Sequence, residues 1–272
     1  MLDSKTHTIA GHDVHYWAGG EGFPILMLHG VGPGTSIVGN YQPVLEPLSR
    51  HCRIVAPDLI GFGKSARKVA PPYFDVALWV EQGLAMLDLL PPGPCGIAGH
   101  SLGGALALKI ASRSSRVTKV LTSSSIGARY PLPAALDNFW AVPADAAVLA
   151  QAMRRMVHDP NAVSAEMVAD RWTLFQGPGY ADYFAKMFAA PRQRYIDAGI
   201  LSDDELSRIR ARVVMLHGRD DQPCPAEATT LAVARGLPSA DVYLLGGCGH
   251  NLPRERTADY LAAAITLFKD PV

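Results

Sequence analysis

Cys95-Gly96-Ile97-Ala98-Gly99-His100-Ser101-Leu102-Gly103-Gly104-Ala105-Leu106-Ala107-Leu108 reads as a short apolar run, a tight turn flanked by glycine, and a segment with helical spacing. Its centre, Gly99-His100-Ser101-Leu102-Gly103, has the G-x-S-x-G form that places a serine on a strained turn between a strand and a helix. Glycine stands on both sides because strand and helix pass too close for side chains, and because so sharp a turn needs dihedrals that glycine tolerates best. A serine placed there stands at the end of a sheet, beside the positive dipole end and free N–H groups of a helix N-terminus. A glycine-rich turn without chemistry can carry the same five letters. The reading therefore requires a base, an orienting acid and an oxyanion site elsewhere in the chain.

The 272 residues suffice for one large α/β domain or two small ones, with a full core. Hydrophobic residues at 49% and charged residues at 18% describe a globular protein and not a disordered one. Lys+Arg and Asp+Glu both number 25, so the net charge is zero and no basic excess predicts a nucleic-acid or anionic-membrane partner. A small-molecule substrate is the partner expected, and homo-oligomerisation stays open. Met1 to His7 lacks the apolar core of a signal peptide, and no apolar run reaches the length of a membrane span, which makes a cytoplasmic location the expectation. Cys52, Cys95, Cys224 and Cys248 show no C-x-x-C pair and no metal-ligand spacing. They read as reduced, mostly buried thiols, and neither metal nor cofactor is expected. Cys224 and Cys248 lie near the acid and base identified below, so they either pack or line a site.

Around the serine turn, short apolar runs alternate with helical patterns. Thr8 to Trp17 predicts a hairpin turning at Gly11-His12, and Pro24 to Leu28 a strand buried on both faces. His29-Gly30-Val31-Gly32-Pro33-Gly34 follows, a loop whose glycines let the backbone approach another group closely. Loops of this HG-x-G type typically supply one N–H of an oxyanion hole. Asn40-Tyr41 open a helix to about Arg50, Arg53 to Ala56 is a strand, and Asp75 to Leu90 is an amphipathic helix stopped by Pro91-Pro92-Gly93-Pro94. Leu102 to Arg113 continues as a helix and Val117 to Thr122 as a strand, the rhythm of a mostly parallel sheet covered on both faces. Between Arg129 and Ala198 no strand pattern appears, only helical ones such as Ala144 to Val157 and Ser164 to Phe175. Residues 129–198 are read as a helical cap, and 1–128 with 199–272 as the core. The cap's apolar and aromatic residues, Phe139, Trp140, Met153, Met156, Phe175, Tyr183, Phe184, Met187 and Phe188, either line a substrate cavity or pack the cap onto the core. The sheet resumes at Val213 to Leu216 and ends at Asp241 to Leu245, with helices predicted over Ala226 to Arg235 and Arg254 to Phe268.

A serine hydroxyl is a poor nucleophile until a base takes its proton, and the base needs an acid to fix its tautomer. With a serine on such a turn the chain order is Ser, then Asp or Glu, then His. After Ser101 the histidines are His158, His217 and His250, and after Asp221 only His250 remains. Asp220 and Asp221 are adjacent and cannot both face the base; the Gly-x-x-Asp spacing from Gly218 selects Asp221. Ser101, Asp221 and His250 are thus the catalytic candidates, with the backbone N–H groups of Val31 and Leu102 as the oxyanion hole.

The whole chain resembles the α/β-hydrolase family, and more narrowly the meta-cleavage product hydrolases, which cut a C–C bond in 2-hydroxy-6-oxo-dienoates formed by aromatic ring fission. The narrow resemblance rests on His29 to Gly34, Asn40-Tyr41, Pro57-Asp58-Leu59-Ile60-Gly61-Phe62-Gly63-Lys64-Ser65, Arg171-Trp172, Ala190-Pro191-Arg192-Gln193-Arg194-Tyr195 and Cys248-Gly249-His250. It implies an α/β-hydrolase fold, with a mostly parallel eight-stranded sheet flanked by helices and a helical cap insertion. It also implies that Asn40 and Arg171 contact the polar dienoate end of the substrate, where an arginine favours an anionic intermediate. Two positions depart from the family pattern. His100 stands where asparagine is usual before the nucleophile, and Asn251 where tryptophan follows the catalytic histidine; both border the substrate's polar end in the family. These departures leave a carboxylesterase or lactonase as the alternative, with a triad-bearing small-molecule receptor and a cofactor-free oxygenase behind it.

Overall fold

β1 (Leu2–Ile9) and β2 (His12–Gly19) pair as the expected N-terminal hairpin, which turns one residue earlier than its alternation indicated. Ala10 and Gly11 take the turn with φ of 49° and 76°, so His12 opens β2. The computed structural model describes residues 1–269, and the last three residues of the expected core segment 199–272 lie outside that range. Six further strands follow: β3 (Phe23–Leu28), β4 (Cys52–Pro57), β5 (Cys95–His100), β6 (Val117–Ser123), β7 (Arg212–Gly218) and β8 (Asp241–Leu245). The sheet order is β1-β2-β4-β3-β5-β6-β7-β8; the first two pairings are antiparallel and the remainder parallel.

Burial of both sheet faces explains the unbroken apolar strands. Ile25 and Met27 of β3 pack with α1 (Ile37–Ser49) and α12 (Thr257–Lys269), while Leu26 and Leu28 face α2 (Val76–Leu87) and α3 (Leu102–Ala111) on the other side. α1 starts three residues before the expected Asn40, because Ser36 caps it by accepting the Gly39 N–H at 3.0 Å. Pro43 inside α1 has no N–H to give the Gly39 carbonyl; that oxygen accepts instead from the Arg254 guanidinium at 3.1 Å. Asp75 caps α2, which ends at Leu87, three residues short of the predicted Leu90.

Between β6 and β7 the described residues contain no strand. α4 (Ala134–Phe139), α5 (Ala146–Arg154), α6 (Ala165–Phe175), α7 (Tyr180–Met187), α8 (Gln193–Gly199) and α9 (Asp203–Arg208) fill the interval. Asp145 caps α5 and Ser164 caps α6, which trims the first predicted helix to Ala146–Arg154. Aromatics of this excursion pack onto the rest of the chain: Phe188 and Tyr195 lie 5.5 and 4.6 Å from Phe74, and Tyr183 lies 5.5 Å from Tyr73, ring centre to ring centre. α10 (Thr230–Gly236) starts four residues later than its pattern suggested, after a turn at residues 225–229. The last predicted helix is two: α11 (Leu252–Glu255) and α12, separated at Arg256, whose φ of −130° leaves the helical region. No helix among the described residues is long and apolar enough to cross a membrane. The four cysteines are free and buried.

Candidate active site

Ser101 sits between the last residue of β5 and the first of α3, with φ 55° and ψ −123°. A side chain on Gly103 would bring its Cβ to 2.5 Å from the Leu28 carbonyl, and one on Gly99 would collide with the backbone of Gly103. Helix and strands therefore meet only because both flanks are glycine, and the strained φ turns the hydroxyl out beyond the sheet's carboxyl edge.

Two loops bring their side chains to the relay that starts at that hydroxyl. The Ser101 hydroxyl donates to His250 Nε2 at 3.0 Å, and His250 Nδ1 donates to Asp221 Oδ2 at 2.8 Å. Asp221 is held from two further directions: the Cys224 N–H donates to Oδ1 at 2.8 Å, and His217 Nε2 lies 3.1 Å from Oδ2. Burial alone would raise the Asp221 carboxyl, but the His250 charge and the imidazole hydrogen bonds outweigh it and hold the group well below the ordinary carboxylate range. Burial pulls His250 down while Asp221 pushes it up, and the carboxylate wins, leaving the imidazole well above its ordinary value. Asp220 turns the other way, its carboxylate 3.1 Å from His158 Nδ1, and takes no part in the relay.

The opposite side of the serine is backbone. A Cβ on Gly30 would come to 2.9 Å from Ser101 Cβ, so the Gly30-Val31 peptide passes directly against the nucleophile candidate. Gly30 is pinned through both of its backbone groups: its N–H donates to Asn40 Oδ1 at 2.8 Å, and its carbonyl accepts from His29 Nδ1 at 2.6 Å. His29 Nε2 in turn accepts the Leu59 N–H at 2.9 Å, and burial keeps this ring below its ordinary pKa. Leu102 is the first residue of α3, so its N–H has no partner within the helix. Val31, next to Gly30, and Leu102, next to Ser101, are thus the backbone positions nearest the nucleophile candidate in sequence.

Ser101 and His250 open into a cavity of about 510 Å³. One wall is apolar, with Leu136, Phe139, Met153, Met156 and Val163 from the excursion. The lining also carries Asn40, His100, Arg171, Asn251 and Arg254, together with the carboxylates of Asp58, Glu166 and Asp170, the last two of which act on Arg254. His100 Nδ1 lies 3.1 Å from the Ser123 carbonyl and so carries the proton; burial and the nearby His250 charge keep the ring well below its ordinary pKa. Asn251 Oδ1 is buried without a hydrogen-bond partner among the described residues. The Arg171 guanidinium makes no ion pair among the described residues and lies 5.5 Å from the Phe139 ring; burial and the Arg254 charge lower its pKa to about 10.

A sequence profile of the Alpha/beta hydrolase family matches residues 25–264. The chain is an alpha/beta hydrolase. It is 34% identical over 251 residues to the 2-hydroxy-6-oxo-2,4-heptadienoate hydrolase of Pseudomonas putida F1, covering 92% of this chain and 88% of that protein. With the 2-hydroxymuconate semialdehyde hydrolase of Pseudomonas sp. CF600 it shares 32% identity, over 90% and 89% of the two chains. The meta-cleavage product hydrolase CumD of Pseudomonas fluorescens IP01 superposes with a TM-score of 0.90 at 29% identity, covering 97% of each chain.

In this alpha/beta hydrolase the sequence motifs bring Ser101, Asp221 and His250 into one hydrogen-bonded line and set Val31 and Leu102 beside it. Cys224 contributes through its backbone, and its thiol lies within 4.8 Å of ligand atoms on Asp221 and His250, each of which already holds a hydrogen-bond partner. Cys248 is buried against the Gly249 carbonyl and does not line the cavity. Sequence reasoning missed Arg254 and Glu255, the contact of His217 with Asp221, and the Met156 carbonyl that holds the His250 N–H. The Pro43 gap in α1 is the one local signal that a long-range donor is needed near Gly39.

Proposed function

We propose that the enzyme hydrolyses a C–C bond in a 2-hydroxy-6-oxo-hexa-2,4-dienoate, using Ser101 as nucleophile, His250 as base and Asp221 as its orienting acid. The observation that carries the substrate class is Arg171: a partly buried guanidinium that makes no ion pair among the described residues and lines the cavity on which Ser101 opens. An unpaired buried cation is costly unless a ligand supplies the anion. The carboxylate of a dienoate does so, and its far ketone lies toward the serine and the apolar wall.

A C–C bond breaks only when its electron pair has a sink. The dienol first becomes its keto tautomer by moving the O2 proton to C5, with Arg171 and Asn40 holding the anionic end. Ser101 Oγ then adds to the C6 ketone as its proton passes to His250 Nε2, and the resulting oxyanion is received by the Val31 and Leu102 N–H groups. The C5–C6 bond breaks, its electron pair returns through C5 to the C2 oxygen as an enolate, and His250 gives up its proton. Water releases the acyl group as a carboxylic acid by the same relay. His100 and Asn251 border the substrate's C2 oxygen in this arrangement, and residues 129–198 act as a cap that keeps bulk water from the intermediate.

The test is a panel of coloured 2-hydroxy-6-oxo-dienoates with alkyl and aryl C6 groups beside aryl esters and lactones. Bleaching of the dienoates, with a 2-hydroxydienoate and a carboxylic acid as products, is the expected result. Fast ester cleavage with no dienoate turnover would replace the proposal with a carboxylesterase.

A further inference from the structure

The loop that carries His250 has its backbone donors taken one after another by acceptors outside the loop. The Gly249 N–H donates to Glu255 Oε2 at 2.9 Å and the Asn251 N–H to Glu255 Oε1 at 2.9 Å, so one carboxylate grips both neighbours of the base. Between them the His250 N–H donates to the Met156 carbonyl at 2.7 Å. Glu255 Oε2 also accepts the His158 N–H at 2.7 Å. The excursion segment Met156-Val157-His158 and the base loop are therefore joined twice, once directly and once through Glu255. They pack so closely that a Cβ on Gly249 would lie 2.6 Å from the His158 nitrogen. Met156 and Val157 line the cavity on their other side.

Accepting the reading of His250 as the base, we propose that Glu255 is a positioning residue that clamps the His250 loop to the Met156–His158 segment, so that the imidazole is aligned only while that segment is docked. The carboxylate suits this task because its two oxygens can serve three N–H donors from two separate pieces of chain. A neutral amide cannot: one of its ends is a donor and would face a donor. The backbone of residues 249–251 fixes the Cβ of His250 and hence whether its two nitrogens can reach Ser101 and Asp221 together. A ligand that fills the cavity against Met156 and Val157 presses on the same segment, which couples occupancy of the apolar wall to alignment of the base.

The titratable groups that face the imidazole are Asp221, Cys224 and His100; Glu255 is not one of them. Glu255 bonds the backbone on either side of the ring and not the ring itself, so lost alignment with Asp221 lowers the titration of His250 in addition to the direct effect of the lost carboxylate charge.

Glu255→Gln and Glu255→Ala are compared with the wild type and with Asp220→Asn, whose carboxylate holds only the Cys248 N–H and the half-exposed His158. The measurements are kcat and KM, the pH dependence of kcat/KM, the rate at which a fluorophosphonate labels Ser101, and the melting temperature. In Glu255→Ala, kcat and the labelling rate fall together by about 100-fold, the loss expected for a misplacement near 1 Å, with KM little changed. The acid limb of the pH profile moves to lower pH as the imidazole loses its carboxylate. Glu255→Gln, which keeps one acceptor, falls between, and Asp220→Asn stays near wild type. Wild-type kcat and pH profile in both Glu255 variants overturn the proposal, as does a loss that merely follows a lowered melting temperature and vanishes on cooling. Ser101→Ala serves as the control: persistent turnover there overturns the base assignment itself, whereas its inactivity beside fully active Glu255 variants overturns the clamp alone.

Discussion

Replacing Arg171 by methionine separates a binding role from a structural one, because the two predict opposite changes in stability. Burial and the Arg254 charge lower the guanidinium from its ordinary value to about 10. At ~1.4 kcal/mol per pKa unit, that is about 3 kcal/mol of unfavourable free energy in the charged folded chain. The sign is fixed by the direction: below about pH 10 the group is charged in both folded and unfolded chains, so the cost is present in full at neutral pH and eases only as pH rises through the folded value. The Phe139 ring, 5.5 Å away, returns roughly 1 kcal/mol of this as a cation–π contact. Methionine keeps the apolar contacts and removes the charge, so Arg171→Met is expected to gain on the order of 1–2 kcal/mol, at about 2–4 °C of melting temperature per kcal/mol. Dienoate cleavage moves the other way. Losing one partner of a buried charge pair costs roughly 2–5 kcal/mol, a fall in kcat/KM of about 30-fold to several thousandfold. Cleavage of a neutral aryl ester, which brings no carboxylate, changes little. The paired assay is a thermal melt in the absence of substrate and kcat/KM on the two substrates. A lowered melting temperature together with equal losses on dienoate and ester would refute the reasoning, since that is what a broken structural contact produces.

Ser101→Ala keeps the backbone strain at φ 55° and should fold as the wild type while kcat falls by roughly a millionfold in a steady-state assay. His250 must be neutral to accept the serine proton and its pKa is raised, so kcat/KM of the free enzyme should fall on acidification through an apparent pKa above 6.5. Asp221→Asn removes the group that raises it: the acid limb moves to lower pH and turnover drops by about 10⁴-fold, measured as a pH series on both enzymes. Asn40→Ala frees the Gly30 N–H that its side chain now holds at 2.8 Å, loosening the oxyanion loop. It should therefore lower kcat on esters by tens of fold, and on dienoates further because the contact to their anionic end is lost as well, whereas Arg171→Met spares the esters.

What the sequence disclosed and what it withheld divide along a physical line. The serine turn, the glycine loop after β3 and the Asp221 and His250 loops are each written by residues adjacent in the chain, because strand ends, tight turns and close backbone approaches restrict local residue choice. The alternation of buried strands with amphipathic helices likewise showed the mostly parallel sheet, since burial on both faces leaves an unbroken apolar run such as Pro24 to Leu28. The starts of α1 and α10 were misplaced because Asn40 and Ala226 fit a helical pattern as well as the true first turns do, and the choice fell to a cap at Ser36 and a turn at residues 225–229. The groups that hold the relay in place left no such trace. His217 meets Asp221 across a strand end, the Cys224 N–H could belong to any residue type, and the Met156 carbonyl is backbone. Glu255 reads in sequence as an ordinary helical glutamate, four residues after Asn251, and only the folded chain shows its carboxylate turned back on the loop that carries the base. The nucleophile and its relay are thus encoded where they stand, while the precision of their alignment is encoded at a distance, by acceptors that meet backbone donors and leave the identity of the donating residue unconstrained.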